Sequence, residues 1–164
     1  MIKIFIDQGH NPGNINAGAS GNGLIEAEVT YQAGVYLKEL LDTNCNFEVR
    51  LSRNSPDEVL GTNTRESLQE RVEMANDWPA DYFISIHANA NINPSISGTE
   101  VYVFAPNTVA SNLAYDVLNG IVEVAKTRDN GVYVNPLFYV LRNDLFLFSL
   151  GMYVGILRFF GYIS

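Results

Sequence analysis

Residues 82–91, YFISIHANAN, run apolar for most of a strand's length and then stop on His87. Phe83, Ile84 and Ile86 read as a buried strand, with His87 where that strand emerges. The chain opens with the same grammar. IKIFIDQGHNPGN, residues 2–14, is a β-rich run followed by a polar turn carrying His10, with Gly9, Pro12 and Gly13 marking the exit. The chain has two histidines, and both fall just past the C-terminal ends of predicted strands. In open α/β sheets that edge is where ligands bind. A lone histidine is ordinarily a surface or satisfied core residue; two in equivalent positions point to a site.

The elements between them set the fold class. The pattern predicts strands over 2–7, 47–52, 82–87 and 99–104, and helices over about 24–42, 65–77 and 108–126. Long turns cover 8–23, 53–64 and 88–98, and VYVNPLFYVLR (132–142) reads as a short strand or turn leading into the tail. Leu24, Val29, Val35, Leu37, Leu40 and Leu41 supply an apolar stripe in the first helix; Leu113, Val117, Leu118, Ile121 and Val124 supply one in the last. These are assigned to the core. Strands alternating with helices predict an α/β fold: a single three-layer domain with a mostly parallel twisted sheet and helices on both faces.

Bulk properties exclude some partners. A length of 164 residues suits one domain with an ordinary core, and 47% apolar with 17% charged residues is a globular composition. A net charge of −8 argues against nucleic acid or an anionic membrane as the main partner. Cys45 is the one cysteine, so no disulfide framework or cysteine-built metal site is expected. The first strand begins within a residue of Met1, so no signal peptide is read and any export route is unspecified.

Two histidines at neighbouring strand ends suit zinc, and zinc hydrolases commonly add a carboxylate. Glu26, in GNGLIEAEV, is the candidate: the glycine-rich turn before it (Gly18, Gly21, Gly23) can bring it back towards His10. A glutamate at a helix start ordinarily only complements the helix dipole, and Glu28 carries the same plain explanation. Two histidines and one carboxylate leave a coordination position for water, whose pKa the metal lowers towards neutrality.

Together, IFIDQGHNPGNINAGASGNGLIEAEV (4–29) and SLQERVEMANDWPADYFISIHANANINPSISGTEVYVF (67–104) resemble the zinc-dependent N-acetylmuramoyl-L-alanine amidases of the amidase_3 type. The resemblance covers residues 2–142. It rests on the aspartate–x–glycine–histidine turn, the asparagine–glycine–leucine–x–glutamate turn and the serine–isoleucine–histidine–alanine–asparagine run, which are specific only in combination. It implies one zinc ion held by His10, Glu26 and His87. It also implies hydrolysis of the amide joining N-acetylmuramic acid to L-alanine in bacterial peptidoglycan, at the cell wall, with a late glutamate shuttling the proton. Asn89 would hydrogen-bond substrate, although a turn residue closing a strand explains it equally. Arg65 and Arg71 match family-like positions and are read as solvated or paired arginines on an exposed helix face, without a catalytic role. Gln8 and Asn11 stand where the family usually has proline and glycine. No partner protein is inferable, and autolysin, sporulation enzyme and phage lysin stay open.

The resemblance breaks in the tail. Residues 144–164, DLFLFSLGMYVGILRFFGYIS, carry no aspartate or glutamate after Asp144, and aligning GYIS with the family's closing turn puts Phe159 at the glutamate position. Residues 143–164 are therefore expected to be a divergent or truncated ending. Three readings of it stand. The protein has lost its general base, at a cost of ~10²–10⁴ in rate, and at the extreme is a non-catalytic peptidoglycan-binding or regulatory module. Another acid substitutes, Glu100 or Glu28, though each has a plainer structural explanation. Or residues 145–163 anchor in a membrane, which the aromatic and β-branched content disfavours against a buried strand. A carboxypeptidase-like peptidase is disfavoured by the separation of His10 from Glu26, and a phosphate loop at GHNPGNINAGASGNG by the missing lysine and glycine spacing.

Overall fold

A computed structural model of the chain describes residues 1–89 and 97–141, and the backbone of 146–151. Contacts divide the chain into residues 1–87 and 88–164. The first unit runs β1 (Ile2–Gln8), β2 (Ser20–Gly21), β3 (Leu24–Ile25), α1 (Glu26–Asp42), β4 (Phe47–Leu51), α2 (Thr64–Asp77) and most of β5 (Tyr82–Asn89). β1 lies between β4 and β5 and is parallel to both, with Ile4 opposite Val49 on one side and Tyr82 on the other. A strand covered on both faces needs apolar residues at nearly every position, and IKIFIDQ is buried from Ile4 onward.

Side-chain alternation places the helices on opposite faces of β1. α1 lies over the Ile4, Ile6 and Gln8 face: a Cβ added to Gly34 would sit 2.4 Å from Gln8 Cγ. α2 lies over the Phe5 and Asp7 face, where its Arg71 bonds Asp7. On that face Phe5 stacks on Phe83 with centroids 5.6 Å apart, a pairing worth ~0.5–1.5 kcal/mol beyond its burial. The expected three layers are thus present in this unit. Asn63 caps α2: its side chain accepts from the Glu66 amide while Glu66 accepts from Thr62, satisfying donors that a helix start otherwise leaves bare.

Residues 88–164 contain β6 (Thr99–Val103), α3 (Val109–Ala125), β7 (Asp129–Val134), a short 3-10 turn (Tyr139–Leu141) and β8 (Phe146–Gly151). β6 pairs parallel with β7 and antiparallel with β8. Thr108 caps α3 through a reciprocal bond with Ser111.

Four sequence expectations shift. Leu24 belongs to a hairpin rather than to the first helix, because Asn22 and Gly23 both take positive φ and turn the chain back, the two-residue turn that suits the strand twist. α1 therefore starts at Glu26. Its most buried face is Ala27, Thr30, Ala33 and Gly34 rather than the predicted leucine stripe, and Leu40 is 59% exposed; small residues let the helix approach the sheet closely. Val124, assigned to the core of the last helix, is 60% exposed at its final turn. Part of VYVNPLFYVLR completes β7, which begins earlier, at Asp129. In the tail, residues 146–151 are strand. The expectations for Phe159 and for the rest of a membrane-anchor segment lie outside the described residues, among which no helix is long and apolar enough to cross a membrane.

Candidate metal centre

His10 is the second residue after β1 and holds φ at +69°, a left-handed backbone costing a non-glycine residue ~1–2 kcal/mol. Such strain persists where surrounding bonds over-determine it. Here the carbonyl of His10 accepts from Arg71 Nη2 at 2.7 Å, and the next amide, Asn11, donates to the Asn16 carbonyl at 3.0 Å. The same Asn16 carbonyl lies 3.1 Å from His10 Nδ1. A proton on Nδ1 therefore satisfies that carbonyl and leaves the Nε2 lone pair free, which is how metal-binding histidines have their tautomer set.

Glu26 is the first residue of α1, and the β2–β3 hairpin delivers it. Its amide donates to the Ala19 carbonyl and its Oε2 accepts from the Ala19 amide, both at 2.9 Å. That reciprocal pair leaves Oε1 to face the histidines. Burial pushes the Glu26 carboxyl up, but hydrogen bonds with His10, His87 and the Ala19 amide outweigh it and hold the group well below its ordinary value.

The three inward atoms form a near-equilateral triangle. His10 Nε2 to Glu26 Oε1 is 3.1 Å, His87 Nδ1 to Glu26 Oε1 is 3.3 Å, and His10 Nε2 to His87 Nδ1 is 3.0 Å. Bonds of ~2.0–2.1 Å in a tetrahedral zinc site put ligand atoms ~3.3–3.4 Å apart, so the donor set and spacing fit zinc with little movement. Glu26 is 5% exposed while the histidine side chains are 19% and 24% exposed, so the triangle is walled at the carboxylate and open at the imidazoles.

Two glycines make the walls. A Cβ on Gly18, itself at φ +73°, would lie 2.7 Å from the His10 ring and 2.9 Å from Glu26 Oε2. One on Gly9 would lie 2.6 Å from His87 Cε1 and 2.5 Å from the Ile86 carbonyl.

Beneath the triangle is a charged core that sequence reasoning missed. Arg71, read as a solvated or paired arginine on an exposed helix face, is 1% exposed. It bonds Asp7 Oδ1 at 2.6 Å, the Gln8 carbonyl at 2.7 Å and Asn11 Oδ1 at 2.7 Å, besides the His10 carbonyl. Asp7 Oδ2 accepts from Ser85 on β5, two residues before His87. Burial pushes the Asp7 carboxyl up, and Arg71 with the Ser85 hydroxyl holds it lowered. Arg53 is equally buried. It reaches the Ala27 carbonyl beside Glu26 at 2.6 Å and lies over the Tyr31 ring; burial and the Arg71 charge push its pKa down to about 10. No periodicity signals such residues, because their partners are distant in sequence. The two departures from the family pattern are structural: Gln8 Oε1 accepts from the Arg53 amide, and Asn11 joins the histidine turn to Leu60.

Glu28 is exposed on α1, outside the cluster, and so is Arg65 on α2. Asn89 donates to Glu100 Oε1 at 2.6 Å, and Tyr102 donates to the same oxygen at 2.9 Å. A cleft of about 1000 Å³ lined by Lys3, Arg50, Met74 and Trp78 shares no residue with the triangle; size alone is no guide to the chemistry here.

Residues 4–150 match the family model described as N-acetylmuramoyl-L-alanine amidase. The chain is 40% identical over 147 residues to the N-acetylmuramoyl-L-alanine amidase CwlM of Bacillus licheniformis, covering 87% of this chain and 52% of that protein. It is 34% identical over 147 residues to the sporulation-specific N-acetylmuramoyl-L-alanine amidase of Bacillus subtilis, covering 88% and 52%. It thus spans about half the length of these curated relatives. Among solved structures, the catalytic domain of CwlV, an N-acetylmuramoyl-L-alanine amidase from Bacillus (Paenibacillus) polymyxa, superposes with a TM-score of 0.78 at 25% identity, covering 91% of this chain and 79% of that one.

Proposed function

The chain belongs to the N-acetylmuramoyl-L-alanine amidase family, and from that premise we propose that it binds one zinc ion through His10, Glu26 and His87 and hydrolyses the bond between N-acetylmuramic acid and L-alanine in peptidoglycan. The observation that carries this reading is the triangle of donor atoms with edges of 3.0–3.3 Å. Zinc held there supplies Lewis acidity and an acidified water for attack on the amide carbonyl. The chain's own residues prepare the site. Asn16 fixes the His10 tautomer, the Ala19 amide aims the Glu26 carboxylate, and Gly9 and Gly18 leave room for the rings. His87 and Asn89 lie on the same side of β5 by strand alternation, which suits Asn89 to holding a polar group of the substrate. The bacterial cell wall is the proposed place of action.

For the proton shuttle, the exposure of Glu28 disfavours it, and we retain Glu100 as the candidate. A second reading is favoured by one observation: residues 145–164 contain no aspartate or glutamate. On that reading the fold binds zinc and peptidoglycan without turnover. The test is zinc-loaded protein incubated with purified peptidoglycan, scoring newly freed L-alanine amino groups against a chelator control. Chelator-sensitive release supports the amidase. No release from protein holding zinc one to one overturns it in favour of the binding module.

A further inference from the structure

We infer that Arg71 is the positioning residue of the metal centre, setting its affinity by clamping the His10 turn to the strand that leads to His87. The inference rests on the reading of the triangle as a metal site and deepens it. Three observations converge on this one guanidinium. Its Nη2 donates to the carbonyl of His10, the residue whose left-handed backbone aims the imidazole, and to Asn11 Oδ1 beside it. Its Nη1 donates to Asp7 Oδ1 and to the Gln8 carbonyl, the last two residues of β1. Asp7 then uses its other oxygen to accept from Ser85 on β5. One planar fork therefore links both strand ends that carry histidines, 77 residues apart in sequence.

The chemistry of arginine is needed for this. The guanidinium offers five donors in a fixed plane, so it holds the carboxylate on one side and the turn carbonyl on the other without rearranging. A lysine at 71 balances the Asp7 charge with a single ammonium but cannot span both. Arg71 touches none of the three donor atoms. Its effect reaches the metal through the backbone of His10 and, by way of Asp7 and Ser85, through the strand that carries His87.

The experiment measures zinc dissociation constants by competition with a chromophoric chelator, alongside far-ultraviolet circular dichroism and melting of the chelator-treated protein. Arg71→Lys is the first variant. Asp7→Asn with Arg71→Gln is the second, since it removes the fork without stranding a buried carboxylate. Both are expected to keep the wild-type spectrum and to bind zinc ~10–100-fold more weakly, the usual consequence of losing an outer partner of a metal ligand. A purely structural role would instead lower the melting point of the apoprotein and leave the affinity of the folded fraction unchanged. Variants that fold and bind zinc within a factor of about two of wild type overturn the inference while leaving the metal site standing. Wild-type protein that takes up no zinc overturns the metal-site reading, and the inference with it.

Discussion

His10 Nε2 lies 3.0 Å from His87 Nδ1, and Glu26 Oε1 closes the triangle at 3.1 and 3.3 Å. Two ring nitrogens at that distance suit either a shared proton or a shared cation. The carboxylate at similar range from both adds the negative charge that a divalent cation balances.

Removing one corner should empty the site. His87→Ala leaves two donors, too few for a stable tetrahedral centre. Stoichiometric zinc should be lost after dialysis, with an affinity loss exceeding the ~100-fold typical of an outer partner. Elemental analysis of the purified variant checks this; full zinc content would sink the assignment of His87.

The Gly18 wall of the site gives a second test, because two left-handed glycines, Gly18 and Gly13, differ in what surrounds them. Gly18→Ala adds a methyl 2.7 Å from the His10 ring, at φ +73°. Gly13→Ala meets nothing within 4 Å, at φ +82°. Both should lose ~1–2 kcal/mol in urea unfolding of the apoprotein from backbone conformation alone. Only Gly18→Ala should also weaken zinc binding. Equal zinc affinities for the two would mean that the contact with His10 and Glu26 relaxes harmlessly.

Much of this geometry was legible beforehand. His10 and His87 announced themselves because an apolar run ending on a polar turn is a strand exit, and parallel strands bring their exits to one edge. Glu26 was legible as a helix start within reach of a glycine-rich turn. The hairpin at residues 20–25 was hidden in the same turn, although Asn22–Gly23 is a strong short-range signal for it. Arg71 was not legible, since the sequence TRESLQERVEMAND reads as a solvated helix, and neither was Arg53, which sits in a polar turn before it. Arg71 is buried by the fork it makes with partners 60 or more residues away, Asp7 and Asn11 among them. Leu40 and Val124 were misread because the last turn of a helix can run past the edge of the sheet it covers.

Stability should separate from the site at the helix caps. Asn63 accepts from the Glu66 amide at 3.0 Å on an exposed turn. Asn63→Ala should lower stability by about 0.5–2 kcal/mol, read from urea unfolding, with zinc affinity unchanged. A parallel loss of zinc would mean that the start of α2 is coupled to Arg71 more tightly than the hydrogen bonds indicate.

Glu100 offers a test with two independent readouts. Burial, the bond to Glu100 and the Glu100 charge raise the Tyr102 pKa to about 12. A group whose folded pKa is raised contributes stability that is fully present below its unfolded value, about 10, and is lost as pH rises through 12. Glu100→Gln removes the charge, so the alkaline titration of Tyr102 should move down towards 10. Ultraviolet difference spectra against Tyr102→Phe isolate it from the other tyrosines. An unmoved midpoint would show that burial and the neighbouring Tyr133, rather than Glu100, raise it. Turnover on peptidoglycan then decides the role of Glu100 separately. Loss of a proton-transfer group costs ~10²–10⁴ in rate, so a drop of that size in Glu100→Gln, with zinc retained and Tyr102→Phe nearly unaffected, identifies Glu100 as the shuttle. If Glu100→Gln and Tyr102→Phe lose activity alike, the carboxylate serves as an anchor for Asn89 and Tyr102, and the proton must travel by another group.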